Sequence, residues 1–309
     1  MKKTSIGGQA LLEGIMMRGP KTTAMAVRHV SGEMRMEEFP TKGNDRPAIL
    51  KKPFIRGIFN MIDSLTVGYQ CLMRSAELSG MEEEEKKAEE EKRRAKGKPE
   101  KKDGGDKWLM PIATVLAVVL SLGLFMYLPA QLYKWIFPAR QEAWLLKSAF
   151  TGVIRIAIFV GYVWATSLMK DIRRTYMYHG AEHKTIFCYE KGLELTVENV
   201  RAQKRFHPRC GTSFLVLVLI VGILIGMFIH IENAVLYTLV KLLLIPLTVS
   251  VGYELIKLAG KYENLFTRII SAPGVWLQHV TTREPDDSMI ECAIEAIKRV
   301  IPEDGSDKW

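Results

Sequence analysis

Apolar positions are gathered into four long runs, and most of the charge lies between them. Residues 109–128 and 212–231 are each twenty long and contain no Asp, Glu, Lys or Arg. At about 1.5 Å per residue, such a run spans the ~30 Å hydrocarbon core of a bilayer as a helix. Residues 148–169 form a second run, interrupted by Arg155, and 234–255 a fourth, interrupted by Lys241 and Glu254. A charge in mid-membrane costs several kcal/mol on a lone helix. These two runs are weaker signals alone, but they give the even number of crossings that the loop charges require. Lys and Arg number three in 129–147 and nine in 170–211. The positive-inside rule therefore puts the middle loop and both termini in the cytoplasm.

The pattern changes before the first run. Residues 23–28 and 32–38 alternate like paired strands around "HVSG", and Gly7, Gly8, Gly14 and Gly19 read as turns. From Pro53 to about Leu78, Phe54, Ile55, Ile58, Ile62, Leu65, Tyr69, Leu72 and Met73 recur at helical spacing. That stripe can pack on the strands or lie on the bilayer, and packing is the simpler expectation. Residues 81–107 hold ten acidic and ten basic residues and read as a charged linker. In the C-terminal tail, "SAPGVWLQHVTTREPDD" reads as irregular. Ser288 and Glu291 then form a capping box that opens a short helix, with Met289, Ala293, Ala296, Ile297 and Val300 on one side.

The expected fold is a mainly α membrane protein. It has four transmembrane helices and a small cytoplasmic α+β N-terminal domain at 1–80. The charged linker 81–107 follows, then a membrane domain at 108–257 with its cytoplasmic loop 170–211, and a cytoplasmic tail at 258–309. The formal charge of +9 is explained by basic cytoplasmic loops, next by anionic headgroups; no specific nucleic acid is expected. No apolar segment follows the basic N-terminus as in a secretory signal. The four cysteines form no C-x-x-C pair and, on this topology, face a reducing compartment.

Candidate chemistry sits in the middle loop. "YHGAEHK" holds His179, Glu182 and His183 in the order H-x-x-E-H, the inverted form of a zinc-peptidase signature. Continued as a helix from the second run, it stacks the two imidazoles on one face with Glu182 beside them. "FHPRCG" adds His207 and Cys210 at the far end of the same loop, which holds three of the six histidines. His179, His183, His207 and Cys210 make a zinc-type donor set, with Glu182 as general base. Three ligands leave a position open for catalysis; four close a structural site. Glu254 is a further oxygen ligand or a headgroup-level carboxylate. Arg155 and Lys241 lie at similar depth, and either snorkel or hold an anionic lipid between helices.

Four motifs in order, "GGQALLEGIMMRGP", "HGAEHK", "HPRCGTSF" and "TTREPDD", resemble the bacterial membrane proteins of the domain of unknown function 1385. That family is described as predicted metal-dependent enzymes. The resemblance implies a bacterial inner membrane location and a metal, supports the five loop residues, and adds Gln9, Glu13, Arg18 and Gly19. The leading expectation is a cytoplasm-facing zinc site and a metal-dependent hydrolase. The rival is a non-enzymatic accessory or scaffold with a membrane protein partner, its metal structural or absent. A transporter comes third.

Overall fold

The computed structural model describes residues 3–41, 46–81, 83–84, 87, 91, 109–140, 143–231, 233–262 and 264–308. The expected linker at 81–107 lies almost wholly outside them. The protein is mostly helical, with one four-stranded antiparallel sheet, and it divides into two compact units.

The first unit draws on three stretches, Met1–Glu82, Val163–Val221 and Leu244–Trp309. Its sheet is a meander of β1 (Gly7–Leu11), β2 (Gly14–Arg18), β3 (Thr22–Arg28) and β4 (Met34–Pro40). β3 and β4 are the expected pair. Gly7, Gly8 and Gly14, expected in turns, lie in strands β1 and β2, while Gly19 falls in the β2–β3 turn as expected. Both faces of the sheet are covered, so β2 shows no polar alternation to betray it. Ile15, Met17, Ala24 and Ala26 pack on α5 (Lys170–Glu190) and α11 (Asp287–Lys298). Met16, Met25 and Val27 pack on Val67 and Cys71 of α1 (Arg56–Ser79). The N-terminal strands thus share their main core with helices from the middle and the end of the chain.

Three boundaries differ from expectation. α1 begins at Arg56 rather than Pro53, because Phe54 takes a left-handed backbone (φ 66°). Its buried face is made of small residues, including Gly57, Gly68, Ser75 and Ala76. Most of the large apolar stripe therefore does not pack on the strands: Leu72 does, but Ile62, Leu65, Tyr69 and Met73 are exposed. Of the stretch read as irregular, 271–281 belongs to helix α10 (Leu265–Thr281), which runs through Pro273, while 282–286 is irregular as expected. Tertiary contact overrides the local break there, as Gly274 lies against Ser213. α11 is capped by Asp286, which accepts the Met289 N–H at 3.0 Å, instead of by Ser288. Its expected apolar side is buried throughout.

α9 (Ile245–Lys261) packs between α1 and α10. Near the ends of the described chain, the Thr4 hydroxyl donates to Asp307 (2.7 Å) and the Ser5 N–H donates to the Asp307 carbonyl (2.6 Å).

The second unit is Glu83–Tyr162 and Gly222–Leu243. It holds α2 (Leu109–Leu122) and α3 (Leu128–Ile136), joined by a π-helical turn at Gly123–Tyr127. Most of α4 (Trp144–Thr166), the end of α7 (Gly211–Met227) and α8 (Ala234–Leu243) complete it. Of the four crossings expected, two are helices long and apolar enough to span a membrane: Pro111–Ile136 and Trp144–Thr166. α7 is apolar but only 17 residues long. The fourth run is divided at Leu244 into α8 and α9, with Pro246 in the first turn of α9. A π-turn leaves backbone carbonyls without their regular helical partner, and the Arg155 Nε–H donates to the Phe125 carbonyl at 2.9 Å. Lys241 lies against Gly226 and over the Tyr237 ring.

Candidate metal centre

α5 carries the His-x-x-Glu-His segment, but it does not continue the preceding apolar helix. α4 ends at Thr166, and α5 starts afresh at Lys170 after an extended Met169. α5 is polar in sequence yet buries Glu182, His183, Lys184, Thr185 and Glu190. Burying such groups costs several kcal/mol each unless partners are supplied, so their surroundings are informative.

The i,i+4 spacing sets the His179 and His183 rings 4.4 Å apart, centroid to centroid. Each ring is held from behind by a main-chain carbonyl. His179 Nδ1 lies 2.8 Å from the Thr281 oxygen, and His183 Nδ1 lies 2.5 Å from the Arg205 oxygen. A carbonyl can only accept, so both Nδ1 atoms carry a proton and both Nε2 atoms are turned inward. They converge on Cys210: His179 Nε2 is 3.1 Å from its Sγ, and the three donor atoms lie within 4.8 Å of one another. His183 Nε2 is buried without a hydrogen-bond partner. Two imidazoles fixed through their outer nitrogens, with a sulfur facing them, form the donor set zinc favours once an ion displaces the proton shared between His179 Nε2 and the Cys210 sulfur. The residues fit a metal ion.

Cys210 immediately precedes α7, and its sulfur accepts the Thr212 N–H at 3.3 Å. Burial would raise its thiol, but the two imidazoles beside it pull it well below the ordinary range. Burial opposes the charged form of His179, yet the Cys210 sulfur and the Glu182 carboxylate lift it to about 9. Burial raises the Glu182 carboxyl against the pull of both histidines. Glu182 accepts the Gly8 N–H, and a Cβ at Gly8 would stand 2.9 Å from its carboxyl carbon. Only glycine lets β1 approach this closely. A cavity of about 450 Å³ opens on Glu182, His183 and Cys210, and reaches Arg18, Asn60 and Tyr253.

The other anticipated residues fall as follows. His207 lies outside the triplet of donors. Its Nε2 faces the Arg209 guanidinium (3.4 Å) and Glu190 (3.8 Å), and burial holds it down at about 4. Glu13 sits in the β1–β2 turn and accepts from Arg174 Nε (2.6 Å), tying that turn to α5. Arg18 pairs with Asp63 at 3.7 Å on the cavity wall. Glu254 binds Arg56 Nε (2.8 Å) and the Phe54 N–H (3.2 Å), and so anchors the start of α1.

Several positioning groups carried no sequence signal. The buried Gln278 amide accepts the His207 N–H and donates to the His207 carbonyl, both at 2.7 Å. It pins the loop that delivers Cys210. Glu190 accepts from Arg209 and from the Thr4 N–H (2.8 Å). Gly180 lies against the Arg283 carbonyl, which lets the segment after α10 pack on α5 while Thr281, at the end of α10, reaches His179.

Fold and cluster define a class: mostly helical proteins with two helices of membrane-crossing length and a buried His–His–Cys cluster beside a small antiparallel sheet. Within that class the chain belongs to the family described as "Protein of unknown function (DUF1385)", whose pattern matches residues 52–303. It is 33% identical over 302 residues to the "Uncharacterized protein YqhQ" of Bacillus subtilis (strain 168), covering 96% of this chain and 92% of that relative. No solved structure matches the chain. These descriptions name no metal and no reaction, so the metal chemistry rests on the cluster itself.

Proposed function

We propose that this is a multi-pass membrane protein of the bacterial inner membrane with a zinc site on its cytoplasmic side, acting as a metal-dependent hydrolase. The observation that carries the reading is the pair of carbonyl-anchored histidines whose inner nitrogens converge on Cys210. In this reading His179, His183 and Cys210 hold the ion, which supplies a Lewis acid at the cavity wall. Glu182 is the group that takes up and returns a proton, since burial raises its carboxyl and it borders the cavity. The two long apolar helices support membrane insertion. The basic 170–211 segment supports a cytoplasmic face on a four-crossing topology, with α7 and the α8–α9 pair as the shorter crossings.

The test is metal analysis of the full-length protein purified from membranes. Wild type and Glu182→Gln should carry about one zinc per chain, and His183→Ala should lose it. Wild type without metal would overturn the site. The presence of a thiolate among the donors favours a second reading, a closed structural site in a scaffold or accessory protein. Glu182→Gln separates the two: it should fail to complement a deletion strain if the protein is a hydrolase, and should complement fully if it is a scaffold.

A further inference from the structure

α1 buries mainly small residues, α10 buries small and polar residues together with Leu277, and both turn several large apolar side chains outward. On α1, Ile62, Leu65, Tyr69 and Met73 are exposed at helical spacing, and Leu65 and Tyr69 are about two-thirds accessible. On α10, Leu265, Phe266, Ile269 and Trp276 are exposed to a similar degree. The inner face of α1 is Gly57, Val67, Gly68, Cys71, Ser75 and Ala76, and that of α10 includes Thr267, Ser271, Gly274 and Gln278. A helix that packs through its small residues and exposes its large ones is arranged for a second, apolar medium.

We propose that the outward faces of α1 and α10 contact the acyl and headgroup boundary of the membrane, so that both helices lie in the lipid interface. Three observations favour lipid over a protein partner. First, the unit that holds these helices begins its middle stretch at Val163, inside α4, so a helix of membrane-crossing length feeds directly into it. Second, the faces carry Tyr69 and Trp276, whose apolar rings and polar tips suit the headgroup level. Third, exposed Lys52, Lys261 and Arg268 flank the stripes, which suits anionic headgroups. Among the described residues nearby, Glu254 is paired with Arg56 and Asp63 with Arg46. On α1 the exposed stripe runs from Ile62 to Met73, so the contact would run along about 17 Å of helix.

The test is site-directed spin labelling of the full chain in lipid nanodiscs. Leu65→Cys and Ile269→Cys carry the probe, and wild type labelled in parallel sets the background from the four buried native thiols. Val153→Cys on α4 is the lipid reference, and Lys298→Cys on α11 is the water reference. Both probe positions should shift with Val153→Cys, being relaxed more by dissolved oxygen than by a water-soluble nickel chelate. Relaxation by the nickel chelate, as at Lys298→Cys, would overturn the proposal. So would shielding from both agents with dipolar broadening, which would mean that a second copy covers the face. If Val153→Cys itself faces water, the membrane reading of α4 falls and takes this proposal with it.

Discussion

Gly180 is the position at which a single methyl group should uncouple the cluster from its support. An added Cβ there would lie 2.0 Å from the Arg283 carbonyl oxygen, a main-chain atom that cannot rotate away. Ordinary contact begins at 3.4 Å, so the 281–285 segment must retreat by about 1.4 Å, the difference of the two. The Arg283 N–H is bonded to the Tyr176 carbonyl at 2.8 Å, and His179 Nδ1 is bonded to Thr281 at 2.8 Å. A retreat of that size takes both beyond hydrogen-bond range. Overpacking costs about 1–3 kcal/mol, and a lost hydrogen bond adds roughly 1 kcal/mol. With both bonds lost, Gly180→Ala should therefore lower stability by about 3–5 kcal/mol, a fall in Tm on the order of 6–20 °C. Releasing His179 from Thr281 should also weaken zinc binding by roughly 10–100-fold, as loss of a ligand's outer hydrogen bond does. Thermal unfolding in detergent and competition with a chromogenic chelator measure the two effects. Gly7→Ala is the control, since nothing lies within 4 Å of a Cβ there. An unchanged Tm would refute the close approach. A lowered Tm with unchanged zinc affinity would refute the link through Thr281.

Other expectations follow from the same geometry. Acid should destabilise the first unit. His207 titrates near 6.5 when unfolded but near 4 when folded, so the unfolded chain binds more protons between those values. Burial opposes the Glu190 charge, but His207 and Arg209 outweigh it and hold the carboxyl low, which adds loss below its ordinary range. Denaturant midpoints should fall from pH 6.5 to 4, and a flat profile would contradict this. Met17→Ala removes a fully buried side chain between β2 and α11 and should cost about 2–5 kcal/mol by chemical denaturation. Glu254→Gln weakens a partly exposed pair with Arg56 and should cost only about 0.2–1 kcal/mol, with metal content unchanged.

The sequence made the chemistry more legible than the architecture. His179 and His183 could be paired from spacing alone because helix geometry stacks i and i+4. Cys210 could be added because it closes the same loop. Glu182 was legible as a neighbour, but not as a carboxylate seated on Gly8, since that contact joins residues far apart in the chain. His207 has the right element type and position, yet Glu190 and Arg209 surround it, and nothing local to "FHPRCG" points to them. β1 and β2 were hidden because a strand covered on both faces loses its alternation, and glycines placed for close approach look like turn glycines. α1 shows the reverse hazard. Its stripe was plain, but periodicity alone does not say which face turns inward, and there small residues won.

The sheet core has a consequence for how the protein is made. Ile15 and Met17, near the start of the chain, are covered by Met289, Ile290 and Ile297, near its end. Gln278 and Thr281, which hold the His207 loop and His179, are also translated late. Chains fold from the N-terminus as they emerge, but this core and this cluster cannot close until α10 and α11 leave the ribosome. By then both long apolar helices have been synthesised. A metal ion captured earlier would meet only α5 and the Cys210 loop, without the carbonyl that orients His179. On the proposed metal reading, the site is complete only after α11 has been translated, so the end of the chain sets when an ion can be held with its full support.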